Sequence, residues 1–252
     1  MNNIKAIFFK QFTTQIKVPV MIGQGVFFLI MLVAFMFLLA EDEGVPCTVA
    51  RPCVEAYLCE ACAAHEETVF RLSDITQVGL FVIFFIGMAI VSSTSMMVQE
   101  DKTTKNLQFM AMANVKPYQY LLATVPALII PVFILLILFG LLGGYIIAYP
   151  LSFMALTLSS AMVSIMLGVT IGLSKVPTLA MPIALLLGMG PQLIERNETL
   201  ANTLQFLYVM QVREALYDLG QDQSRAFMII GANFVVALAL FVFVHRKNKL
   251  NV

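Results

Sequence analysis

Six long stretches of this 252-residue chain lack any Asp, Glu, Lys or Arg, and that absence limits what the protein can be. They cover residues 18–40, 75–97, 120–148, 151–173, 176–194 and 226–244. Carriers driven by protons or ions usually keep an ionisable side chain inside the bilayer as the coupling element. None is visible here, so a transporter built from this chain would draw its energy from outside it. Also missing is the Gly-x-x-x-x-Gly-Lys-Ser/Thr phosphate loop, which excludes P-loop nucleotide hydrolysis by the chain itself. There is no His-Glu-x-x-His zinc motif, no Gly-x-Ser-x-Gly elbow, and no acidic residue inside a stretch for intramembrane aspartyl chemistry. Both histidines, His65 and His245, fall outside the stretches. An enzyme is not expected, nor a resident metal or cofactor. A formal net charge of zero gives no reason to expect a nucleic-acid partner.

What is present is apolar: 60% of residues are hydrophobic and 12% charged. Each stretch is near the ~20 residues that cross a bilayer as a helix. In lipid each must be helical, because every backbone N–H and C=O needs an internal partner. The expectation is an all-α integral membrane protein with six transmembrane helices and membrane lipid as its surroundings. The first stretch is too long for the core of a secretory signal, and acidic residues follow it without a small-x-small site. Retention as a signal anchor is expected, cleavage near Ala40 being the alternative.

Charge sets the orientation. If the N-terminus is inside, the inner segments hold Lys5, Lys10, Lys17, Lys102, Lys105, Lys116, Lys175, Arg246, Lys247 and Lys249 against only Glu100 and Asp101. The outer segments hold five arginines, thirteen carboxylates and no lysine. The excess of Lys and Arg predicts both termini inside. The expected location is a cell membrane, multi-pass and bacterial.

Residues 1–17 place Ile4, Phe8, Phe12 and Ile16 four apart among polar residues, which predicts an amphipathic helix on the inner leaflet. Pro19 favours a break before the first span over a continuous helix. The first outer loop, 41–74, carries all four cysteines, Cys47, Cys53, Cys59 and Cys62, with eight carboxylates and two arginines. Facing an oxidising compartment, they read as two disulfides with three possible pairings. A four-cysteine zinc site, helped by Cys59-x-x-Cys62 and His65, is the alternative.

The second span ends in Ser92, Ser93, Thr94 and Ser95; such hydroxyls either bond to helix backbones or face a substrate. Gln24, Ser92, Ser95 and Asn233 are candidates for a conduit, because they are polar where lipid makes polarity costly. The inner loop 98–118 places Leu107, Met110, Ala111 and Val115 on one side of a short helix that needs a partner. Pro126 and Pro131 predict a kink in the third span. In the fourth, Ser160 and Ser164, then Gly168 and Gly172, recur four apart; they suit close packing within the chain or a dimer face. The segment 195–225 is outside yet semi-apolar, with Leu200, Leu204, Leu207, Val212, Leu216 and Leu219 predicting one or two short helices against the outer membrane face. Asn197-Glu198-Thr199 is a formal glycosylation sequon there.

This layout resembles the membrane subunit of type 2 ABC exporters: six spans with both ends inside, an N-terminal amphipathic helix, an inner helix between the second and third spans, and a re-entrant outer segment before the sixth. The local motif lies in the inner loop. Glu100-Asp101-Lys102-Thr103-Thr104 stands for the family's acidic-basic-Gly-Thr stretch, with Thr103 where glycine is usual, and Pro117-Tyr118-Gln119-Tyr120-Leu121-Leu122 for the following helix start. The resemblance implies that 98–118 is a coupling loop seated on an ATPase subunit through Glu100, Lys102, Thr104, Lys105, Phe109 and Met110. It further implies two ATPase subunits holding ATP and magnesium, and a second permease, identical or homologous. The cargo would be an amphipathic peptide, lipid or drug. The competing expectations are a stand-alone channel or carrier, and a sensor using the cysteine loop.

Overall fold

The computed structural model describes residues 2–17, 20–42, 78–107, 112, 115–193, 204–220 and 222–249. The four cysteines, His65, the sequon, Leu200, Phe109, Met110 and Ala111 lie outside these residues. Among the described residues the secondary structure is helical, with no strand. We number the helices α1 (Asn2–Lys17), α2 (Val20–Asp42), α3 (Val78–Thr103), α4 (Pro117–Leu142), α5 (Tyr145–Ala148), α6 (Pro150–Leu173), α7 (Ala180–Leu193), α8 (Tyr208–Tyr217) and α9 (Ser224–Lys249).

Four of them are long and apolar enough to cross a membrane: Val78–Thr103, Tyr118–Leu142, Pro150–Leu173 and Ser224–Arg246. Two further apolar helices, Met21–Ala34 and Ala180–Pro191, are shorter as described. At a rise of 1.5 Å per residue, the fourteen residues of α7 cover about 21 Å, less than the ~30 Å hydrocarbon core. A 3₁₀ turn, Pro177–Leu179, precedes it, and Pro177 stands in that turn rather than in the helix expected from residue 176.

The expected third span over 120–148 is divided. Its helix is continuous through Pro126 and Pro131 but stops at Leu142. Gly143 and Gly144 turn the chain into α5, and Gly144 takes φ 69°, a left-handed conformation that glycine adopts without a Cβ penalty. At the other end, Pro117 occupies the first helical turn, where its missing N–H costs nothing. The Gln119 side-chain oxygen accepts the Lys116 N–H at 2.9 Å.

Helix α6 is the centre of the bundle and packs on α3, α4, α8 and α9. Its glycines Gly168 and Gly172 serve the α3 contact. A Cβ on Gly168 would lie 2.8 Å from the Val91 carbonyl oxygen, and one on Gly172 would lie 2.9 Å from that of Ser95. The Gly168 and Gly172 spacing, which suited either internal packing or a dimer face, is used internally. On another side of α3, a Cβ on Gly87 would lie 2.8 Å from the Leu187 carbonyl, so α7 also approaches this helix at backbone distance. Gly87 sits within a π-helical segment, Phe85–Ile90, which the hydrophobic pattern did not reveal.

Hydrogen bonds identify what gathers at one end of the bundle. Helix α1, the end of α3, the start of α4 and Ser174 after α6 are tied together there. Lys10, Lys102, Lys105, Lys116 and Lys175 belong to this end. Helix α1 forms where the periodicity predicted it, but it is docked on protein. It packs along α4, with Ile7 and Gln11 buried and Phe9 65% exposed. The helix expected on the inner leaflet is an element packed against the bundle.

Candidate functional site

The site begins with the C-terminal turn of α3. Thr104 N–H donates to the Glu100 carbonyl at 2.9 Å, and Lys105 N–H to the Lys102 carbonyl at 3.2 Å. The hydroxyls of Thr103 and Thr104 donate to the same Glu100 oxygen at 3.0 and 2.7 Å. These bonds satisfy carbonyls that a helix end leaves without partners. Lys105 then takes φ 58°, the left-handed position that usually falls to glycine after a helix. Asn106 Nδ2 donates to the Thr104 hydroxyl at 2.7 Å and closes the turn.

Glu100, Lys102, Thr104 and Lys105, four of the six residues assigned to partner contact, are exposed together on this turn. Lys102 reaches sideways, its ammonium donating to the Ser174 carbonyl at 3.0 Å and linking the turn to the end of α6. Further along the loop, Leu107 and Val115 pack against the core, whereas Met112 is 73% exposed.

Asp101 carries the turn; sequence reasoning placed it in the motif Glu100–Thr104 but not among the partner-contact residues. It is 5% exposed. Its Oδ1 accepts from Lys10 Nζ at 2.7 Å and from Asn106 Nδ2 at 3.3 Å. Its Oδ2 accepts from Gln11 Nε2 at 2.5 Å and from the Tyr120 hydroxyl at 3.2 Å. One carboxylate therefore joins α1, α3, the turn and α4. Buried charges persist only when paired and hydrogen-bonded, and both conditions hold here. Breaking a fully buried pair costs roughly 3–5 kcal/mol. The Lys10–Asp101 value is smaller, because the Lys10 side chain is 39% exposed. A sequence signal did exist: Asp101 is one of only two carboxylates among the lysine-rich segments.

The conduit candidates do not form one group. Ser92 Oγ lies 3.3 Å from Gln24 Oε1, joining α3 to α2. Ser95, one turn along, accepts from Gln99 Nε2 at 3.0 Å. Asn233 is elsewhere, donating to the Phe206 and Ile229 carbonyls at 2.8 Å each and tying α9 to the segment before α8. Ser93 follows the backbone reading, its Oγ donating to the Ala89 carbonyl at 2.6 Å, whereas the Thr94 hydroxyl is buried without a hydrogen bond among the described residues.

Helix α8 is a second polar assembly. Tyr208 is buried, its hydroxyl 2.7 Å from Ser164 Oγ, about 21 Å along α6 from Pro150 at 1.5 Å per residue. Gln211, also buried, donates to the Gln205 carbonyl at 2.8 Å. Arg213 donates to the Pro191 carbonyl in the last turn of α7, where a cation suits the helix dipole. Val212, Leu216 and Leu219 are buried as their spacing implied, and Tyr208 and Gln211 are the polar residues that the apolar pattern concealed.

No protein-family model, curated protein or solved structure matches this chain.

Proposed function

We propose that this chain is the permease subunit of an ATP-driven exporter of the type 2 ABC class. It would work with a second permease, identical or homologous, and with two ATPase subunits that hold ATP and magnesium. The observation that carries the reading is the exposed polar turn Glu100–Lys105, bonded through a buried carboxylate to the ends of two long apolar helices. A turn held this rigidly can pass a push from a partner into the helices, which a loose loop cannot do. Charge-free apolar stretches give the same direction: energy must enter from a partner.

In this reading six segments cross a plasma membrane with both termini inside, and the cysteine-rich loop, its four thiols paired as disulfides, lies outside. ATP binding closes the ATPase subunits and draws the two coupling turns together. The helices shift between inward and outward states because each state binds nucleotide differently. Segment 195–225 forms a re-entrant wedge near the outer face. Hydrophobic or amphipathic cargo passes between the permeases, whose exposed apolar helix faces meet lipid or each other.

The test is purification of the tagged full chain from its host in mild detergent, with identification of the proteins that accompany it. A co-purifying P-loop ATPase that is lost in the Lys105→Glu/Phe109→Ala variant supports the proposal. A chain that binds no ATPase under any nucleotide condition overturns it in favour of a channel or sensor.

A further inference from the structure

We infer that Asp101 is a positioning residue that makes α1 and the polar turn a single moving unit. The coupling part of this inference rests on the exporter reading; the mechanical part stands on geometry alone. Asp101 has exchanged water for four protein donors, and two of them, Lys10 and Gln11, come from α1. Lys10 brings the formal positive charge; Gln11, Asn106 and Tyr120 are neutral donors. If α1 separated from the turn, the carboxylate would lose its countercharge together with the Gln11 bond and keep only Tyr120 and Asn106 as partners. Separation therefore breaks an ion pair and a hydrogen bond at once, so displacement of the turn carries α1 with it.

The packing of α1 fits such a lever. Ile7 and Gln11 face the bundle, and Ile4 and Phe8 pack against its core. Phe9 is turned outward, 65% exposed, on a helix that otherwise follows α4. The clasp therefore links movement at the ends of α3 and α4 to a helix whose outer side carries the exposed Phe9. The exposed residues of the turn supply contact with a partner, while Asp101 fixes where the turn stands.

The test uses the full chain in lipid nanodiscs, as wild type, Lys10→Met, Asp101→Asn, Lys10→Arg and the reciprocal Lys10→Asp/Asp101→Lys swap. Hydrogen exchange of residues 2–17 is compared with that of 150–173. The expected result is about tenfold or faster exchange in α1 for the two charge-removing variants, with 150–173 unchanged. Lys10→Arg should retain protection, and the swap should restore part of it. Unchanged α1 exchange in Lys10→Met and Asp101→Asn overturns the clasp. The same variants are assayed with the associated ATPase for cargo moved per ATP hydrolysed. A fall in that ratio at normal complex abundance supports coupling through Asp101, and an unchanged ratio with α1 released overturns it. If no ATPase associates with wild type, the exporter reading fails and the coupling role fails with it, while the exchange result still decides the clasp.

Discussion

The Tyr208 hydroxyl lies 2.7 Å from Ser164 Oγ, and both side chains are buried between α8 and α6. This contact joins two elements that are 44 residues apart in the chain. Ser164 also lies 3.3 Å from the Ser160 carbonyl, so it keeps a partner when Tyr208 changes. Tyr208 has no such reserve among the hydrogen bonds described above. Tyr208→Phe is therefore expected to cost about 0.6–1.5 kcal/mol, and Ser164→Ala about 1–3 kcal/mol through the hydroxyl left behind. The double variant should cost less than the sum of the two. Thermal unfolding of the four proteins in one detergent checks this, and strict additivity would show that the bond contributes nothing.

Two glycines should respond to alanine with opposite signs. A Cβ at Gly168 meets Thr94 Cβ at 2.7 Å and the Val91 carbonyl at 2.8 Å, so α3 would have to move away. Gly168→Ala should destabilise by about 1–3 kcal/mol. Gly231 lies inside α9, is followed by Ala232, and a Cβ there meets no side chain or other element within 4 Å. Gly231→Ala should be neutral or stabilise by up to about 1 kcal/mol through helix propensity. Denaturation midpoints of the two variants against wild type make the comparison.

The same residues show what sequence can and cannot convey. Long charge-free runs specify helices because lipid offers the backbone no partner, so α3, α4, α6 and α9 could be read with small errors at their ends. The break at Gly143 and Gly144 was concealed because α5 is as apolar as the helix it leaves. Gly168 and Gly172 announced close packing, but spacing carries no name for the neighbour. Asp101 was the hardest case. Its partner Lys10 is 91 residues away, and pairing at that distance is a tertiary fact that no local pattern encodes.

Lys105 holds a conformation better suited to glycine. Its φ of 58° follows the last turn of α3, and a side chain there crowds its own backbone. Lys105→Gly should stabilise the turn by up to about 1 kcal/mol, offset in part by the greater freedom of the unfolded chain. Lys105→Val, branched at Cβ, should destabilise it by more than about 1 kcal/mol. In the exporter reading, Lys105→Gly should also weaken ATPase binding despite its firmer turn. Unfolding and co-purification measured on one preparation separate the two effects, and a stable, fully bound Lys105→Gly protein would remove Lys105 from the contact.

Asp222 offers a pH-dependent feature at the start of α9. Its Oδ1 accepts the Ser224 N–H at 3.0 Å and the Ser224 hydroxyl at 2.5 Å. Those side-chain and backbone bonds hold its carboxyl below the ordinary aspartate range. A carboxylate with a lowered folded pKa stabilises above its unfolded pKa, and the benefit disappears as pH falls through the folded value. The first turn of α9 should therefore be fully capped at neutral pH and lose protection only under distinctly acidic conditions. Hydrogen exchange of the amides following Ser224, corrected for the intrinsic effect of pH, should show this loss in wild type. Asp222→Ala should be unprotected already at neutral pH and flat with pH, and a variant that still titrates would place the responsible carboxyl elsewhere.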